Sequence, residues 1–129
     1  MLNLQLTFIL GYLFYGLVIV VHILIIQRII PYELVNGGRS QSYEDQRKLS
    51  MISALIGLVG LGFIGYSQLF SEMITHWVYF VFVVFLTLFW LLGSVMQLLG
   101  TPFEKRVIIW VNLLGVIVHL SLALEFLLN

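Results

Sequence analysis

Imidazole is the side chain most open to chemistry in this chain, at His22, His76 and His119. Two of them on different helices invite a haem with paired axial imidazoles. Three invite a metal centre, if they cluster. One alone could carry a proton, because neutral imidazole is cheap to bury and titrates in the physiological range. Little else competes. Cysteine is absent, which excludes disulfides, thiolate metal sites and a cysteine nucleophile. There is no serine elbow, no H-E-x-x-H and no pair of embedded carboxylates for hydrolysis. The acid inside a span, Glu125, reads as an interfacial carboxylate in contact with water.

One motif matches by letter only. "GLGFIG", Gly60 to Gly65, has the spacing of a dinucleotide-binding loop, which requires a preceding strand and a helix N-terminus aimed at a pyrophosphate. Here it lies within a continuous apolar run, where a loop would leave backbone groups unsatisfied in hydrocarbon. The nucleotide reading is rejected.

The elements that position these residues follow from composition. Of 129 residues, 61% are hydrophobic and 9% charged. A soluble domain carries about 25% charged residues, so most of this surface must face lipid. The net charge of zero gives no reason to expect nucleic acid. A bilayer core takes about 20 apolar helical residues to cross, and four segments qualify: about 4–30, ending at Pro31, then 49–69, 77–99 and 107–128. The expected fold is a single all-α transmembrane domain over 1–129, an antiparallel bundle of four helices. The first segment lacks the basic flank and cleavage site of a signal peptide and is read as a permanent span.

Orientation comes from the basic residues. Arg28, Arg39, Arg47, Lys48, Lys105 and Arg106 are all six of them, and all lie at or beside the connections 31–48 and 100–106. The positive-inside rule puts both connections in the cytoplasm and both termini outside, in a multi-pass protein of the cell membrane.

With depth assigned, the histidines separate. His22 lies roughly 9 Å inside the cytoplasmic boundary and His119 about 20 Å, at 1.5 Å per residue; two ligands of one iron need one level, so no cofactor is expected. At His22's depth the helical period converges Ser53, Ser94, Gln97 and Asn112. Each helix carries one smaller or more polar face, including Gly11 and Tyr15 on the first, Tyr79, Val83 and Trp90 on the third, and Gly115 and Ala123 on the fourth. These residues form interhelical hydrogen bonds or a polar pocket open to the cytoplasm. Trp90 is read as packing the core.

On the second helix Gly57, Gly60 and Gly65 share a face with Ser50 and Ser53. Small residues let helix backbones approach closely, so this helix is expected to pack tightly, centrally or against a second copy. In the polar stretch "VNGGRSQSYEDQRK", the glycines of Asn36-Gly37-Gly38 accept positive φ, Ser42 caps the second helix and Glu44–Lys48 forms an i,i+4 pair. Gly37, Gly38 and Arg39 make a candidate anion cradle for a lipid phosphate. The leading functional expectation is a non-catalytic accessory, immunity-type or scaffold subunit, acting through helix packing as a homo-oligomer or beside a larger membrane partner. The alternative is a small-molecule or proton-coupled transporter using the pocket, with a haem-binding electron carrier after it.

Overall fold

The computed structural model describes residues 3–129; residues 1 and 2 lie outside it. Four helices are long and apolar enough to cross a membrane: α1 Leu4–Ile26, α2 Tyr43–Leu69, α3 Trp77–Leu98 and α4 Glu104–Leu128. The described residues contain no strand. The first turn of α4, Glu104–Ile108, is wound as π-helix and the rest, Ile109–Leu128, as α-helix. Large apolar side chains stand open on the outer faces, among them Leu55, Leu58 and Val59 on α2 and Val78, Phe85 and Leu92 on α3. An apolar surface of that extent requires a lipid surrounding. The chain is an all-helical, multi-pass membrane protein.

Two boundaries differ from the sequence expectation, the end of α1 and the start of α4. α1 stops at Ile26 rather than near Ile30. Arg28 takes φ 61°, and the Arg28 and Ile29 amides fold back to Ile25 O and Leu24 O at 3.0 and 2.9 Å. That is a Schellman closure with arginine where glycine is usual. The left-handed conformation is costly for a residue with a Cβ, and partners hold it in place. The Arg28 guanidinium sits 3.9 Å from the centre of the Tyr43 ring, and the Tyr43 hydroxyl donates to Ile26 O.

α2 starts at Tyr43, with the Asp45 amide donating to Ser42 Oγ at 3.2 Å, so it projects beyond the apolar run 49–69. Glu44 pairs with Arg47 at 3.7 Å, one residue short of the expected Lys48. α4 begins ahead of residue 107. Thr101 Oγ1 accepts from the Glu104 amide at 3.3 Å, and Glu104 Oε2 accepts from the Thr101 amide at 2.7 Å. This reciprocal capping box needs threonine and glutamate three apart.

α1 packs along α2, α3 packs along α4, and α1 against α4 joins the two pairs. α1 and α2 pack closely at the glycines. A Cβ on Gly60 would lie 2.1 Å from the Tyr15 ring, and one on Gly57 2.7 Å from Ile19. Gly65 is looser, 3.6 Å from the Tyr12 hydroxyl. The small face of α2 is therefore covered by the chain's own α1.

An aromatic brace ties the helices at mid-length. Tyr15 Oη and His119 Nε2 are 2.9 Å apart, while His119 Nδ1 lies 2.7 Å from Gly115 O. A carbonyl oxygen only accepts, so Nδ1 carries the proton, and Nε2 accepts from the tyrosine hydroxyl. Phe14 meets Trp90 edge-on, with centroids 4.8 Å apart. Phe63 stacks on Tyr79 at 5.6 Å, whose hydroxyl donates to Ser67 at 2.8 Å.

Candidate functional site

At the end of the helices where the 27–42 and 99–103 connections meet, the described residues line a half-open cavity of about 300 Å³. That is the lower limit for pockets that take a small molecule. The C-terminal parts of α1 and α3 and the N-terminal parts of α2 and α4 build it. His22, Ser53, Gln97 and Asn112, assembled in sequence by depth and period, all line it. The fifth residue of that set, Ser94, does not. It is buried and its hydroxyl donates to Trp90 O at 2.9 Å, one turn back on its own helix.

Two polar atoms in the wall are buried without a hydrogen-bond partner: His22 Nδ1 and Gln97 Oε1. Buried polar atoms are paired in the great majority of cases. Leaving one unpaired costs about 1–3 kcal/mol, so two on one cavity call for a hydrogen-bonding partner, water included, that the chain itself does not supply. A third unpaired atom, Trp90 Nε1, belongs to the same wall but approaches the Tyr15 hydroxyl without hydrogen-bond geometry. Trp90 packs the core as the sequence reading has it, and also forms part of the cavity wall.

Part of the wall is already hydrogen-bonded. Asn36 Nδ2 donates to Ser40 Oγ at 3.1 Å, Ser40 Oγ to Gln46 Oε1 at 2.6 Å, and Gln46 Nε2 to Ser50 Oγ at 3.0 Å. This relay carries polarity from the connection into α2, where Gln46 and Ser50 are buried. It holds the mouth in one geometry.

Glu104 supplies the charge. It is 4% exposed and lines the cavity. Its carboxylate accepts from the Gly37 amide at 3.1 and 3.0 Å and from the Thr101 amide at 2.7 Å. No Lys or Arg pairs with it among the described residues, whose ion pair is Arg47–Glu44. A Cβ on Gly100 would fall 2.2 Å from Glu104 Oε2, so glycine there makes room for the carboxylate.

That arrangement decides the expected anion cradle. The anion on the Gly37 amide is Glu104 itself. The Gly38 amide donates to Val35 O at 3.0 Å, and Arg39 Nε to Asn36 O at 3.1 Å. Neither glycine has a free N–H for a lipid phosphate. Positive φ runs through Asn36, Gly37 and Gly38 at 54°, 64° and 71°, the conformation that aims the Gly37 amide at α4. The sequence did carry a signal for Glu104: Thr101-Pro102-Phe103-Glu104 is a capping box with proline at its first helical position.

The histidines do not gather. Both His119 nitrogens are engaged in the brace, which leaves no lone pair for iron. The described residues hold no group of three or more His, Asp or Glu able to hold a metal ion.

Fold and cavity define a class: a small helical membrane protein with an internal polar pocket at one end. No protein-family model matches the chain, and comparison with curated proteins and with solved structures returns no match.

Proposed function

We propose that this chain is a non-catalytic membrane protein that binds a small molecule in the cavity at His22, Ser53, Gln97 and Asn112. It does so as an antiparallel four-helix bundle in the cell membrane, with the pocket opening to the cytoplasm and both termini outside. The observation that carries this reading is the pair of unpaired polar atoms on one cavity wall, His22 Nδ1 and Gln97 Oε1. The orientation is supported by the basic residues at the two connections beside the mouth.

Binding is favoured over packing as the chain's role. The accessory or scaffold reading drew on the Gly57–Gly60 face of α2, and that face is occupied by Tyr15 and Ile19. Binding is also the first step of a carrier. Trp90 of the cavity wall belongs to the brace with Phe14, Tyr15 and His119, so translocation through one copy requires that brace to open, or a second copy to share the path.

The test is native mass spectrometry of the chain released from its own membranes. Wild type is expected to carry a small-molecule adduct that His22→Leu combined with Gln97→Leu loses. Adduct spectra unchanged by the double substitution contradict the proposal.

A further inference from the structure

The cavity has a second compartment of about 120 Å³, which shares His22, Ser53, Trp90 and Asn112 with the polar chamber. Its remaining wall is apolar and includes Ile56 of α2 and Phe89 of α3. These two residues also stand 44% and 45% exposed on the lipid-facing surface. A side chain that lines a cavity and is nearly half exposed marks its mouth. α2 and α3 approach each other far less closely than α1 and α2 or α3 and α4 do, and the side-chain contacts Phe63–Tyr79, Phe63–Phe82 and Tyr79–Ser67 that bridge them lie at the other end of the helices. The seam between Ile56 and Phe89 therefore opens sideways into the bilayer.

The lining is graded along that path. Ile56 and Phe89 line only the smaller compartment, His22 lines both, and Gln97 and Glu104 line only the larger. No Lys or Arg lines either compartment. An anionic head would meet a carboxylate with no counter-charge in a medium of low dielectric, where like charges repel strongly. A head that donates N–H bonds and carries positive charge would satisfy the orphan acceptor and compensate Glu104.

Resting on the pocket reading above, we infer that the ligand is a single-chain amphiphile with a primary ammonium head, admitted from the lipid between α2 and α3. The head occupies the polar chamber and the start of its tail lies between Ile56 and Phe89.

Trp90 reports on this site directly. Trp77 and Trp110 are exposed, so a Trp77→Phe, Trp110→Phe chain in phosphatidylcholine nanodiscs leaves Trp90 as the sole indole. Its fluorescence is titrated with decylamine, decanoate, decanol and methylammonium, the first three compared at equal mole fraction in the bilayer. Decylamine is expected to give a saturable change with an apparent Kd about tenfold or more below those of decanoate and methylammonium, the increment of one charge-assisted hydrogen bond. Gln97→Leu, which removes an unbonded acceptor, should weaken decylamine about tenfold and decanol, whose neutral hydroxyl makes a weaker bond, by less. Decanoate binding as tightly as decylamine overturns the head-group assignment. Methylammonium binding as tightly overturns lateral entry while leaving the pocket itself intact. No saturable response to any probe overturns the amphiphile, and the adduct measurement above then decides the pocket separately.

Discussion

The Gly37 amide donates to both carboxylate oxygens of Glu104, at 3.1 and 3.0 Å, across 67 residues of sequence. A backbone N–H that sequence reasoning offers to an external phosphate is instead bonded to an acid of the same chain. Thr101 adds a second link, its hydroxyl donating to Leu34 O. The two connections are thereby joined into one rim around the cavity, and a negative charge is fixed in its wall.

Glu104→Gln keeps the side chain's volume and removes that charge. One acceptor oxygen remains, while the new amide group turns its own N–H bonds toward backbone donors. The expected loss is about 2 kcal/mol, the usual range for hydrogen bonds to a buried charged group. It is read as a lower midpoint of equilibrium unfolding in detergent; an unchanged midpoint would mean that the rim does not depend on the carboxylate.

The glycines of α2 separate by what a methyl group would meet. Gly60→Ala places a Cβ 2.1 Å from the Tyr15 ring, whereas Gly62→Ala meets nothing within 4 Å. Overpacking predicts a cost of about 1–3 kcal/mol for the first. The second should stay within about 0.5 kcal/mol of wild type. Equal stability of the two variants in the same unfolding assay would contradict the close α1–α2 contact.

A double-mutant cycle measures the brace. Tyr15→Phe removes the donor, and His119→Asn keeps an N–H for Gly115 O while removing the Nε2 acceptor. The coupling between them should be about 1 kcal/mol, typical of interhelical hydrogen bonds in lipid. A coupling indistinguishable from zero would mean that the 2.9 Å contact contributes no pairwise energy.

Orientation is checked with single cysteines, since the chain has none of its own. Gln41→Cys should react with an impermeant thiol reagent only from the cytoplasmic side, and Ser71→Cys only from the outside. Both positions are exposed. The reverse pattern would invert the topology and with it the side on which the cavity opens.

What could be read in advance was whatever helical period and depth determine. The placement of His22, Ser53, Gln97 and Asn112 at one level on facing helices follows from 3.6 residues per turn and a count from the basic connections. The inward face of α3 likewise follows from Tyr79, Val83, Trp90 and Ser94, all buried. What escaped was rotamer and backbone detail. Ser94 has the right position, but its hydroxyl turns back to Trp90 O, a choice that period does not encode. The end of α1 was missed because its left-handed residue is Arg28, held by Tyr43 across the connection, and no glycine announces the stop. Glu104 falls inside the segment 100–106 that the apolar runs leave as a connection, whereas Thr101 and Glu104 around Pro102 start the helix.

The central claim is that the polar chamber is hydrated and in contact with water at the cytoplasmic end, while the seam between α2 and α3 faces lipid. Ser53 lines both compartments, whereas Leu55, two residues on, is 61% exposed on the lipid side. A thiol reacts as thiolate, which forms in water and not in hydrocarbon. Ser53→Cys and Leu55→Cys are treated separately with a small charged methanethiosulfonate from each side of the membrane. The account predicts that Ser53→Cys is modified from the cytoplasmic side at least about tenfold faster than Leu55→Cys, on the thiolate argument. A Ser53→Cys thiol as inert as Leu55→Cys, or reactive only from the outside, would contradict it.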